Sequence, residues 1–226
     1  MALLALVLGC RSSSEADSAL SQSGAAGQSP ESGPKEEAFW NWFVENEERL
    51  RKAVAADARA VLENDPMGAE LQKVHPALLF ELSVTRDQSK QELTITADGN
   101  RDAFPAVEAL VRAAPSLEHW QVLAFRQPSP DLDFEIGMGD LVLSPQTTLY
   151  RSVPEGSRLG ITIYLPGDLS EQDTAKVASS ILLDHVLGEY DVETLVGSIE
   201  WAALPQDHSG LIPLANLRDE VAQLKR

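Results

Sequence analysis

Phe80-Glu-Leu-Ser-Val-Thr85 and Leu93-Thr-Ile-Thr-Ala-Asp-Gly99, separated by Arg86-Asp-Gln-Ser-Lys90, are the stretches on which the fold turns. Phe80, Leu82 and Val84 alternate with polar residues, as do Leu93 and Ile95, and a period of two belongs to a strand with one apolar face. The polar segment between them predicts a hairpin. Asp98-Gly99-Asn100 ends the second strand, and Asp102 can cap a helix in which Phe104, Val107, Leu110, Val111 and Ala114 share a face. Pro105 falls in the first turn, where a missing amide donor does least harm, and Pro115 stops the helix. Trp120 to Phe125 is apolar on both faces and predicts an interior strand. The unit is strand, strand, helix, strand.

The same order recurs downstream. Leu149 to Val153 and Leu159 to Leu165 read as a second hairpin, Gln172 to Leu187 as a helix stopped by Gly188, and Gly197 to Ala203 as the closing strand. Leu93-Thr-Ile-Thr-Ala-Asp-Gly99 parallels Ile161-Thr-Ile-Tyr-Leu-Pro-Gly167, which suggests a tandem duplication of the unit. Phe134-Glu-Ile136 and Leu141-Val-Leu143 add short strands, and Leu214 to Leu224 a terminal helix. Upstream, Glu36 and Glu37 open a helix whose stripe is Phe39, Phe43 and Leu50, widened by Trp40 and Val44; it runs on through an alanine-rich stretch to Asn64-Asp65-Pro66. The expected fold class is α+β: a largely antiparallel sheet covered by helices, in a single domain over residues 36–226.

The 226 residues carry a net charge of −17, which repels phosphate backbones and disfavours nucleic acid as a partner. The first ten residues form an apolar run, Ala2 to Leu8, ending in Gly9 and the chain's one cysteine, Cys10. Residues 11–35 hold eight Ser, three Gly, two Pro and no aromatic residue, too little to offset the entropy of ordering, so they are expected to be a disordered tether. At 25 residues such a tether has an r.m.s. span of roughly 25–30 Å.

Val7-Leu8-Gly9-Cys10 resembles the lipobox of bacterial lipoproteins, with residues 1–10 as the signal segment. That resemblance implies an acyl chain such as palmitate on Cys10 and membrane attachment in the bacterial cell envelope. With Arg11 after the cysteine, it favours the outer membrane or cell surface over the inner membrane. Phe39-Trp-Asn-Trp-Phe43, Ala103-Phe-Pro-Ala-Val-Glu108 with Ala124-Phe-Arg126, and Leu187-Gly-Glu-Tyr-Asp-Val-Glu193 with Ile199-Glu200 resemble segments of an uncharacterised bacterial family of unknown function. This second resemblance implies a shared fold and no activity.

Chemistry is sparse. The densest polar stretch is Asp184-His185-Val-Leu-Gly-Glu189-Tyr-Asp191-Val-Glu193, groups of the kind a divalent cation or an acid-base pair requires. Gly188 is expected to end the helix between His185 and Glu189, leaving His185 at the helix C-terminus and the acids on a solvated connection. Asp131-Leu-Asp133-Phe-Glu135 reads as a strand with one wet face, Asp98-Gly99 and Arg101-Asp102 as a turn and a cap. Gly137-Met-Gly139-Asp140 lacks the third glycine of a dinucleotide fingerprint. His75, His119, His185 and His208 are widely separated, and no cofactor or metal is expected. Composition therefore favours a non-catalytic binding or interaction domain meeting a basic or cationic protein partner. The alternative is an enzyme with a carboxylate and histidine site near residues 184–193, with or without a cation.

Overall fold

The structure is a computed structural model that describes residues 33–225 apart from Asp140, Asp168, Ser170 and Glu171. Cys10, the expected signal segment and most of the expected tether lie outside the described residues. The tether is predicted two residues too long, because helix α1 (Pro34–Asn64) begins at Pro34. Proline's fixed φ suits the first helical turn, Glu36 and Glu37 follow in that turn, and Lys35 reaches the carbonyl of Val74 at 3.4 Å.

Phe39, Trp40, Phe43 and Leu50 of α1 are buried, but Val44 is 51% exposed and takes no part in the stripe. Helix α2 (Met67–Val74) adds Met67, Leu71 and Val74 to the same core. Strands β1 (Leu79–Val84) and β2 (Gln91–Thr96) form the expected antiparallel hairpin, with Leu82 opposite Leu93 and Phe80 opposite Ile95. Asn100, rather than Asp102, is the cap: its side chain accepts from the Asp102 amide, and a short 3-10 turn at Arg101–Ala103 leads into α3 (Phe104–Arg112). β3 (Trp120–Ala124) then pairs in parallel with β2, in the order β1-β2-β3. The predicted interior strand is thus an edge strand; its apolar residues are covered by helices and neighbouring segments rather than by strands on both sides.

β4 (Ile136–Met138) and β5 (Leu141–Leu143) form a small antiparallel ribbon. Residues 131–135 are not a strand. They keep the alternation of exposed acids with half-buried Leu132 and Phe134, but as an irregular segment anchored on the second core.

β6 (Leu149–Glu155) and β7 (Arg158–Leu165) pair antiparallel; α4 (Asp173–Leu187) and α5 (Glu189–Leu195) cross over, and β8 (Val196–Ala203) returns parallel to β7. The expected repeat of the unit is present as topology: two antiparallel strands, a helical crossover that reverses the chain, and a parallel third strand. β9 (Ile212–Pro213) joins the edge beside β6, and α6 (Leu217–Leu224) packs beneath. The molecule is α+β, with four antiparallel strand pairs and two parallel ones among the described residues.

Each unit has its own core. The first gathers Phe43, Leu50, Leu71, Leu93, Ile95 and Leu110; the second gathers Tyr150, Ile161, Ile163, Leu182, Leu183 and Leu217. In the first, the indole N–H of Trp40 donates to the carbonyl of Leu110 at 2.8 Å, tying α1 to the end of α3. Trp40→Phe leaves that buried carbonyl without its donor and trims packing, so it should destabilise by about 1–3 kcal/mol. Urea unfolding checks this; an unchanged midpoint would show that the bond contributes nothing.

Candidate functional site

The two units meet at the end of β3. Phe125 sits at φ +65°, an uncommon conformation for a bulky residue, while its amide still donates to Ile95 O at 2.8 Å. Its ring lies 4.5 Å from that of Phe104 and 5.3 Å from that of Tyr190, so aromatic groups of both units pack here. The turn carries Arg126 to the seam. Its Nε donates to Glu81 at 2.5 Å, its Nη2 to Asp98 at 3.0 Å and its Nη1 to Asp184 at 3.3 Å. Burial opposes the charge on Arg126, but Glu81, Asp184 and Glu189 more than offset it and hold the guanidinium pKa above its ordinary value.

Glu189, the first residue of α5, is 1% exposed. Its Oε2 accepts from Thr96 Oγ1 at 2.6 Å and from the Arg126 amide at 3.1 Å; its Oε1 accepts from the amides of Ala97 and Gly99, both at 3.2 Å. A buried carboxylate is tolerable only when its lone pairs are met, and these four donors, all from the first unit, meet them. Gly188 makes the approach possible. It has φ +84° and ψ 147°, and a Cβ there would lie 2.8 Å from Pro128 Cδ and 3.2 Å from Arg126 O. The Glu189 amide in turn donates to Arg126 O at 2.9 Å, so the backbones are paired as well.

The five predicted residues do not converge. Asp184 and Glu189 belong to the seam, whereas His185 lies beside it: its Nδ1 is 3.2 Å from Ser129 Oγ, its ring is 5.4 Å from that of Phe134, and burial pushes its pKa down. Asp191 pairs with Lys225 at 2.5 Å, and Glu193 with Arg101 at 3.1 Å. The expected solvated connection is corrected on two counts: Glu189 to Leu195 is helical, and Glu189 is buried rather than wet. Gly188 does end α4, as expected.

Sequence reading missed Glu81, Thr96 and Arg126, and assigned Asp98 to a turn alone. The Asp98-Gly99 turn exists, but Gly99 N reaches Glu189 of the second unit across ninety residues of chain, and the Asp98 carboxylate accepts from Arg126. Asp184 is the group left least well matched: burial pushes its carboxyl up to about 7, Glu189 and Asp98 add to the effect, and Arg126 opposes it.

In chemical terms the cluster is spent on itself. The three guanidinium nitrogens of Arg126 are each engaged by a carboxylate, and Glu189 is saturated. Among the described residues no group of three or more His, Cys, Asp or Glu side chains is arranged to hold a metal ion. Two open grooves lie elsewhere. One, of about 510 Å³, runs past Arg86, Lys90 and Trp120; the other, of about 320 Å³, past Pro128, Val186, Arg218 and Val221. Comparison of the chain with protein-family models, curated proteins and solved structures returns no match.

Glu189→Gln keeps the shape but turns an amide N–H₂ toward donors, so it should destabilise by about 2–3 kcal/mol. Gly188→Ala should cost at least about 1 kcal/mol through the positive φ and the Pro128 contact. Thermal or urea melts check both; a neutral result for Glu189→Gln would mean that the carboxylate's charge is immaterial to the seam.

Proposed function

We propose that the domain is a non-catalytic interaction module, held at a membrane by a lipid on Cys10, that offers an acidic surface to a basic or cationic protein partner. The observation that carries this reading is the segment Asp131-Leu-Asp133-Phe-Glu135. Its three acids are exposed, while Leu132 and Phe134 pack on the second core, so the carboxylates are presented on a fixed support. Arg86, itself mostly exposed, lies 3.4 Å from Asp131.

The charge of −17 acts in the same direction, since a surface of one sign steers a partner of the other. The polar residues nearest to an active-site constellation are instead occupied in joining the two units, which favours interaction over the alternative enzymatic reading. No helix among the described residues is long and apolar enough to cross a membrane, so membrane attachment in this reading rests on Cys10.

A lysine-rich peptide is the probe for the acidic segment. Exposed charge pairs contribute roughly 0.5 kcal/mol apiece, so Asp131→Asn, Asp133→Asn and Glu135→Gln together should weaken peptide binding about tenfold at low salt. Added salt should shrink the difference, because mobile ions screen exposed charge pairs. Equal binding by the triple variant in calorimetric titration would remove this segment from the interaction. For the anchor, Cys10→Ser should move the full chain from membrane to soluble fractions, and an unchanged distribution would contradict lipidation.

A further inference from the structure

The seam between the units holds four carboxylates: Glu81, Asp98 and Asp184 on the guanidinium of Arg126, and Glu189 on the Arg126 backbone amide. No second cation is spent on it among the described residues. Arg218 of α6 donates to the carbonyls of Val186 and Ser129 at 2.9 Å, and Arg101 is paired with Glu193. His185, next to Asp184 on α4, is held toward its neutral form by burial. We propose that the seam is a pH-sensitive latch in which a proton on Asp184 supplies the charge balance that the missing cation does not.

The geometry selects Asp184. Glu189 has four donors, and Glu81 holds the shortest contact with Arg126; Asp98 is exposed and keeps its hydration. Asp184 has the longest of the three contacts with Arg126, 3.3 Å, and is largely withdrawn from water, its side chain only 23% exposed. Proton loss leaves a charge that burial disfavours and that Glu189 and Asp98 repel, and the single contact to Arg126 offsets this only in part, so the seam is weakest when Asp184 is ionised.

The titration belongs near neutrality, since the Asp184 carboxyl is raised to about 7 from an ordinary 3.8. A pKa raised in the folded state gives stability that is fully present below about 4 and is lost as pH rises through about 7. His185 works in the opposite sense. Its pKa is depressed from an ordinary 6.5, so the stability it contributes is present above that value and lost as pH falls. The wild-type profile mixes the two, and Asp184→Asn separates them.

The experiment combines carboxyl ¹³C NMR titration of the full chain with melting curves between pH 5 and 8.5. Asp184 should titrate near 7, and Asp98→Asn, which removes a facing negative charge, should lower that midpoint. The melting temperature of Asp184→Asn relative to wild type should rise by several degrees on passing from pH 5 to 8.5. A midpoint near 4, or a difference between the two proteins that stays flat with pH, overturns the latch. Should Asp184→Asn not fold, the wild-type and Asp98→Asn midpoints decide alone. The latch stands independently of the acidic-surface reading, because Asp131, Asp133 and Glu135 take no part in it.

Discussion

A single carboxylate decides how the two halves of this chain sit on one another. Glu189 enters the first unit from the second and is met there by one hydroxyl and three backbone amides. Two of those amides, Ala97 and Gly99, lie just past β2, where the strand has no partner left for them. An isolated carboxylate buried to this degree would be prohibitive, and an isolated turn with inward-facing amides would also be costly. Each removes the penalty of the other. The seam is therefore specific in a way that apolar contact is not, since a shift of α5 by one residue would leave all four donors unmet.

The repeat of strand, strand, helix, strand explains why such a contact is needed. Each unit closes its own apolar core, on α1 and α3 in one case and on α4 and α6 in the other. Phe104, Phe125 and Tyr190 supply aromatic contact between them. Polar pairing fills the remainder, and Arg126 extends it by tying β1, the turn after β2 and α4 to one guanidinium. The charge left over at Asp184 is a consequence of that arrangement: one cation serves carboxylates from three elements, and burial prevents water from supplying the balance.

Elements with a strong local period were legible in the sequence. The alternation in 80–84 and 93–95 gave the first hairpin, and Asn64-Asp65-Pro66 and Gly188 stopped their helices where expected. Strand order is not a local property, so the apolar run at Trp120 could not reveal that it lies at an edge. The wet and dry alternation of 131–135 was legible too, but alternation reports burial and not pairing. The candidate site misled for a related reason. Asp184 to Glu193 are neighbours along the chain, and Gly188 turns the chain between them so that their partners lie just past α6, on the turn after β2 and on Arg126. Arg126 lies 45 residues from Glu81 and 58 from Asp184, and no spacing rule links positions so far apart.

If Glu189 holds the units together, the amides it accepts from cannot open without separating them. Amide hydrogen exchange at Ala97, Gly99 and Arg126 tests this directly, with Ile163 in the centre of the second core as the reference. The account predicts that the three seam amides exchange with the same opening free energy as Ile163, through global unfolding. Exchange of these amides by a local opening several kcal/mol cheaper, while Ile163 stays protected, would contradict it.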